Sequence, residues 1–385
     1  MRAWQIMRTT FPLYAAGFVT AFGAHSIAAG LGGYASAEQA SLLTLGVLLA
    51  VYDGAEVVLK PVFGSLADRI GPRPVLLGGL VAFAAVSAVC VFATGPAVVG
   101  VARFGQGAAA AAFSPAASAM VARLTPATSQ GRAFGGYGAW KGIGYTLGPL
   151  LGGVLIALGG FPLLFATLAV LAAGVALWAL AVAPVVPPLP RARQTVVDLA
   201  RRLLHPGFLT PTAALAASTA CLAVGVGFLP VQGAGLHPVV TGAVVSVLAA
   251  TAALVQPWAG RRHDSGKLGA RAGMTAGLLV AAAGFAITAL VPGLLGLLPA
   301  AAVIGAGTGL VTPLGFAALA AATPPERLGQ TMGSAEVGRE LGDAGGPLLV
   351  GAIAVATNTT TGLLALAVVV VACAATMRAA TGRTP

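Results

Sequence analysis

The chain has 385 residues, of which 58% are hydrophobic and only 8% charged, and its formal net charge is +11. A soluble domain carries roughly 25% charged side chains, so a water-soluble globule is excluded and a membrane protein is expected. The basic excess forms no single patch but is spread among the loops, which argues against nucleic acid as a partner.

Apolar runs long enough to cross about 30 Å of hydrocarbon recur throughout. The expected spans are 10–33, 41–62, 74–93, 96–122, 133–158, 161–183, 208–230, 239–259, 269–291, 294–322, 331–356 and 361–379, twelve in all. The first begins with basic and then apolar residues, like a signal peptide, but its apolar part runs past the roughly 7 to 15 residues of such a segment. An uncleaved first helix is expected, with His25 as a satisfied core residue. Cys90, Cys221 and Cys373 each lie within a span and far apart in sequence, and read as buried small apolar residues rather than a disulfide or metal framework.

Lys and Arg occupy alternate connections: Arg2 and Arg8, Arg69 and Arg73, Arg123 and Arg132, Arg191 to Arg202, Arg261 to Arg271, Arg327, and Arg378 with Arg383. The intervening loops "ATGPA", "LGGFP", "LVPGLLG" and "TNTTT" contain neither residue. The positive-inside rule therefore puts both termini in the cytoplasm, which requires an even number of spans. The short connections leave no room for a soluble domain, so function must reside among the helices.

The second span carries Asp53, Glu56 and Lys60 within about 60° of helical arc. The eleventh carries Glu336, Arg339, Glu340 and Asp343 within about 100°. A charge at the centre of a span costs roughly 2.5 to 3.5 kcal/mol, so these groups must pair or line water. Glu56 precedes Lys60 by four residues, and Arg339 is within helical reach of both Glu336 and Asp343. Neighbouring acids repel, which allows one of them to hold a proton. Asp53, Glu56, Glu336, Glu340 and Asp343 are thus candidates for proton coupling. Asp53 comes first, having no base four residues on. Structural ion pairing is the alternative for the whole set.

Halfway along, "APVVPPLPRARQTVVDLARRLLHPG" is proline-rich and then amphipathic, and reads as a cytoplasmic linker with a short helix on the inner leaflet. The chain divides into 1–184, a six-helix bundle, 185–206, the linker, and 207–385, a second bundle. The bundles are repeats. A shift of 198 residues lays Gly131, Gly135, Gly144, Gly148, Pro149 and Gly153 on Gly329, Gly333, Gly342, Gly346, Pro347 and Gly351, and Lys141 on Arg339. A shift of 196 lays Pro61, Gly64 and Asp68 on Pro257, Gly260 and Asp264.

Two parallel six-span halves, "GSLADRIGPR" from Gly64, "RFGQGAAAAAFSP" from Arg103 and "GYTLGPLLGG" from Gly144 resemble the major facilitator superfamily of secondary transporters, in its twelve-helix drug/proton antiporter branch. The fold class this implies is an all-α membrane protein of two pseudo-symmetric six-helix bundles. The resemblance makes Gly64, Asp68, Arg69, Gly71 and Arg73 a cytoplasmic loop motif. Chemically, Gly64 and Gly71 permit tight turns, Asp68 can sit against a helix N-terminus, and Arg69 and Arg73 can grip carboxylates or lipid phosphates. Pro72 departs from the family pattern, where a basic residue is usual. The second copy lacks an Arg after Asp264, so the two halves are expected to latch unequally.

Gly144, Gly148, Pro149, Gly152 and Gly153 match the fifth-helix motif, and the glycines make a stripe for close helix packing. The resemblance also sets the second and eleventh helices beside each other. Arg103, Lys141, Arg339, Tyr137 and Tyr145 are candidates to line a substrate cavity, with Lys141 and Arg339 placed to clamp an anion and the tyrosines to stack on an aromatic compound. The GAGTG run at 305–309 lies mid-span without a preceding strand, and GxxxxGK[ST] is absent, so no ATP-driven pump is indicated.

The expectation is a monomeric, proton-driven exporter of small organic or drug-like molecules in the bacterial inner membrane, working by alternating access. It would take no cofactor or metal, and its partners would be the substrate, protons and the lipid bilayer. Two rivals stand beside it: a proton-coupled uptake permease for an anionic metabolite, and a membrane-embedded enzyme or sensor.

Overall fold

A computed structural model describes residues 3–37, 42–92, 96–190, 196–233 and 238–379. Residues 191–195 of the linker, with Arg191 and Arg193, lie outside the described residues, as do the termini with Arg2 and Arg383. The long helices are α1 (Ala3–Ala37), α2 (Leu42–Ile70), α3 (Pro72–Cys90), α4 (Pro96–Leu124), α5 (Gln130–Val182), α7 (Pro206–Gln232), α8 (Pro238–Asp264), α9 (Ala270–Leu290), α10 (Leu294–Ala321), α11 (Leu328–Ala356) and α12 (Thr359–Ala379). A short helix, α6 (Val196–Leu203), precedes α7. No strand occurs among the described residues.

α5 is two helices joined at a corner. Gly160 has φ +68°, and Gly159 is also non-helical. A residue with a Cβ resists that left-handed backbone, and Pro162 then starts the second arm, where its missing N–H costs nothing. With α5 counted as two, twelve long helices are described, matching the expected spans. Among the described residues, seven helical stretches are long and apolar enough, by length and composition, to cross a membrane. Large side chains left exposed, such as Phe92, Leu158, Leu295 and Val355, suit helices whose solvent is lipid.

Two compact units are distinguished. The first comprises Met1–Pro126, Trp140–Arg191 and Thr323–Val337, and the second Ala127–Ala139, Ala192–Ala322 and Gly338–Pro385. The opening turns of α5 therefore belong to the second unit and those of α11 to the first, so the units do not follow the chain boundary at the linker. Inside the first unit, α4 is central and packs against α1, α2 and α3. Inside the second, α10 takes that place against α7, α8 and α9. The repeat seen in sequence is thus a repeat of packing.

Glycines let these helices touch. A Cβ at Gly64 would collide with the carbonyl oxygen of Gly329, and one at Gly333 with that of Lys60. The matching residues of the second unit behave alike: Gly260 lies on the Gly131 carbonyl and Gly135 on that of Gln256. Gly64 therefore serves close approach within α2, not a turn as its sequence context suggested. Gly71 is the turn residue, with φ +94° between α2 and α3. Pro72 follows as the first residue of α3, where a helix needs no N–H.

The end of α5 and the start of the linker are each held by an arginine. Arg73 Nη2 donates to the Leu180 carbonyl at 2.8 Å and Arg123 Nη2 to the Pro187 carbonyl at 2.7 Å. Arg73 thus grips a main-chain carbonyl, and Arg69 is exposed. Cys90, Cys221 and Cys373 are free thiols, the first two buried.

Candidate functional site

The loop aspartates come first, because they fix the helices that carry the other charges. Both carboxylate oxygens of Asp68 accept main-chain hydrogen bonds from the first turn of α11, from Gly329 N at 2.7 Å and Gln330 N at 2.8 Å. Asp264 does the same for α5, accepting from Gly131 N and Arg132 N, both at 2.8 Å. The first N–H groups of a helix have no partner within it, and a carboxylate there also meets the positive end of the helix dipole. Two caps of equal length correct the expectation of unequal latches. Neither the missing Arg after Asp264 nor Pro72 disturbs the carboxylate, because the capping bonds go to backbone.

Above the Asp68 cap, the first unit holds a buried charge network. On α2, Lys60 Nζ lies 2.6 Å from Glu56 Oε2, the pair closed by one helical turn. On α11, Glu336 Oε2 lies 3.8 Å from the same ammonium and 3.4 Å from Lys141 Nζ, which reaches it from α5. The side chains are 1% (Lys60), 5% (Glu56), 0% (Glu336) and 5% (Lys141) exposed. Two acids and two bases make a set that is neutral when all are ionised, the arrangement under which charge can be held away from water. α2 and α11 meet at this point through Lys60 and Glu336.

Close by on α2 and α4, the Arg103 guanidinium, 2% exposed, lies over the Tyr52 ring at 4.2 Å, a cation–π contact. Its Nε and Nη1 are buried without a hydrogen-bond partner. Asp53 and Glu56 stand near enough for their charges to act on it. Asp53 itself is exposed. One turn further along α4, Gln106 Nε2 donates to Ser87 Oγ at 2.9 Å, wholly buried.

The remaining candidates divide between the units. Tyr145, in the first, is half-buried and meets the His25 ring edge-on at 4.4 Å. His25 Nδ1 lies 3.1 Å from the Ala21 carbonyl, in keeping with a satisfied core residue. Gly144, Gly148 and Gly152 lie against Phe18, His25 and Ser26 of α1, whereas Gly153 faces open space and Pro149 is exposed. In the second unit Tyr137 is buried, 1% exposed, which leaves its ring no free face for stacking. The Arg339 guanidinium lies 5.7 Å from the centre of the Phe316 ring, itself stacked on Phe134. Glu340 and Asp343 are half-buried.

Lys141 was expected to share an anionic substrate with Arg339, but its ammonium is already directed at Glu336. Two residues that the sequence left outside the site now belong in its description. Lys60, read beforehand as part of the second span's charged stripe and the helical partner of Glu56, joins α2 to α11. Gln256, buried on α8, is its repeat counterpart. A Cβ at Gly138 would collide with the Gln256 amide, and Gly138 is the counterpart of Glu336. The repeat shift was the signal that could have found it.

Comparison with known proteins agrees with this architecture. The Major Facilitator Superfamily profile matches residues 13–265 and 232–385. The tetracycline resistance protein, class H, of Pasteurella multocida is 37% identical over 110 residues, 29% of this chain and 27% of that protein. A probable actinorhodin transporter of Streptomyces coelicolor is 34% identical over 140 residues, 36% of this chain and 23% of that protein. The chain thus spans less than a third of the length of each of these curated relatives. The crystal structure of the human organic anion transporter MFSD10 superposes with a TM-score of 0.79 at 19% identity, covering 97% of this chain and 99% of that one. That of FucP in its outward conformation gives 0.78 at 16% identity, over 97% and 99%. At those identities the structures show the fold alone, but with the profile, the repeated packing and the three motifs they place the chain in the Major Facilitator Superfamily of membrane transporters.

Proposed function

We propose that the protein is a proton-coupled exporter of small organic or drug-like compounds, working by alternating access in a bacterial inner membrane with both termini cytoplasmic. The observation that carries this reading is the buried Glu56, Lys60, Glu336 and Lys141 network inside spanning helices. A protein that only needed to pack its helices would do better with apolar residues there, since a buried ion pair replaced by apolar groups is often neutral or stabilising. Asp53, the exposed acid of α2, is the residue proposed to load the proton. Its neutralisation would change the field at Arg103 and at the network one turn away. Glu336, held between two ammonium groups, would register that change by exchanging partners.

Export as the direction, and drug-like compounds as the cargo, draw on the names of the tetracycline and actinorhodin relatives. Uptake of an anionic metabolite drew on Lys141 and Arg339 as a clamp, and the pairing of Lys141 with Glu336 thins that support.

The test is a growth-inhibition screen of an efflux-deficient host expressing the chain, followed by substrate-driven proton flux in proteoliposomes. Raised tolerance to at least one compound, with proton movement opposite to that compound, is the expected result. Protection that persists after the proton gradient is collapsed would refute proton coupling. Proton movement in the same direction as the compound would refute export.

A further inference from the structure

We propose that α6 is an anionic-lipid contact: a short surface helix that docks its exposed edge on the negatively charged headgroups of the leaflet at its own end of the bundle. Along α6 the apolar residues Val197, Leu199, Ala200 and Leu203, with Leu204 just beyond, fall within about 160° of arc, and Asp198, Arg201 and Arg202 within about 100° on the other side. The apolar arc is covered unevenly. Leu199 and Leu203 are half-buried, whereas Val197 is 64% and Leu204 70% exposed. Arg201, also exposed, stands between them. Val197, Arg201 and Leu204 are spaced i, i+4 and i+7, so one uncovered stripe reads aliphatic, basic, aliphatic.

That stripe cannot stray far from the bilayer. α6 ends at Leu203 and α7, a spanning helix, begins at Pro206. α7 opens as a capped helix, with Gly207 N donating to His205 Nδ1 at 3.1 Å, which fixes the corner between the two. Two aliphatic side chains beside a guanidinium, held at the end of a spanning helix, meet the conditions for interfacial binding: apolar groups for the acyl boundary and a positive charge for anionic headgroups. Asp198 is exposed as well, but Arg201 and Arg202 together outweigh it and leave the helix net positive, the charge complementarity that neutral headgroups would not reward.

The test uses the full chain in vesicles of phosphatidylcholine alone or mixed with phosphatidylglycerol. A V197C variant, with Cys90, Cys221 and Cys373 replaced by Ala, carries a nitroxide whose collision with water-soluble and lipid-soluble relaxants is measured. The label is expected to be lipid-embedded in the mixed vesicles and to shift toward water when phosphatidylglycerol is omitted. Arg201→Gln in mixed vesicles should lower the ratio of docked to undocked helix about fivefold, the factor for one basic residue at an anionic surface. Hydrogen exchange of the 196–204 peptide in the unsubstituted protein, slower in the mixed vesicles, gives the same answer without the cysteine replacements. Equal accessibility and equal exchange in both lipids would overturn the proposal. Protection that grows with protein density at fixed lipid composition would overturn it too, pointing to a second copy of the chain as the occupant.

Discussion

The two units share a scaffold but not a charge pattern. Asp68 caps α11 in the first as Asp264 caps α5 in the second, at matching distances. Gly64 meets Gly329 as Gly260 meets Gly131, and Gly144 and Gly148 press on α1 as Gly342 and Gly346 press on α7. Where the first unit has Lys60 and Glu336, however, the second has Gln256 and Gly138, and the places of Glu56 and Arg103 are taken by Ala252 and Ala301. A feature present in both copies is what this packing requires. A feature present in one is not needed to build it, so Glu56, Lys60, Glu336 and Arg103, unlike Lys141 with its buried counterpart Arg339, are the part that calls for a functional explanation.

The comparison can be broken at several depths. Lys60→Met removes the ammonium from between two buried carboxylates, and should destabilise the protein by about 3–5 kcal/mol, the cost of leaving a buried charge uncompensated. Gln256→Met at the matched position should cost less than about 1.5 kcal/mol, as a volume-conserving change that leaves no buried charge behind. Thermal unfolding in detergent reads both, and equal losses would mean that the second unit depends on its amide as the first does on its charge.

Gly64→Ala and Gly260→Ala each force a methyl group against a neighbouring backbone, and should cost about 1–3 kcal/mol apiece. Because the crossing is duplicated, the two losses should be alike in the same unfolding assay. A cost at one site and none at the other would undo the claim of a common scaffold.

Asp68→Ala and Asp264→Ala should each lose about 0.5–2 kcal/mol, the range for removing a helix cap. Hydrogen exchange should localise the loss to the first turn of α11 in one case and of α5 in the other. The smallest effect belongs to Gly153→Ala. With nothing near its Cβ position, it should stay within about 0.5 kcal/mol of the parent, while Gly152→Ala, pressed against Ser26, should be clearly worse.

Much of the architecture could be read from the chain because its signals are local or periodic. Span length, alternating basic loops and the 196- and 198-residue repeats need no three-dimensional knowledge, and neither does the Glu56 and Lys60 pair, one turn apart. What could not be read was pairing over distance. Lys141 and Glu336 are 195 residues apart, and nothing on α5 alone says that its lysine faces an acid rather than a substrate. Gly64 was misjudged for a related reason: a glycine before a charged loop reads as a turn until the Gly329 carbonyl lying against it is seen. Tyr137 looked like stacking surface because burial of a ring by other helices leaves no mark in its own sequence. The supposed asymmetry of the latches came from weighing Arg69, a side chain, where the bonds that matter go from Asp68 and Asp264 to backbone N–H groups.

The central claim is that the buried charges of the first unit couple proton movement to transport, on a scaffold that both units possess. Proton-gradient-driven transport of a compound returned by the growth screen, measured in proteoliposomes for Glu336→Gln and for the parent at equal protein content, tests it most directly. The account predicts that Glu336→Gln lowers proton-driven transport by about tenfold or more, equivalent to about 1.4 kcal/mol in the barrier, while Gln256→Met leaves it intact. Undiminished proton-driven transport by Glu336→Gln would contradict the account.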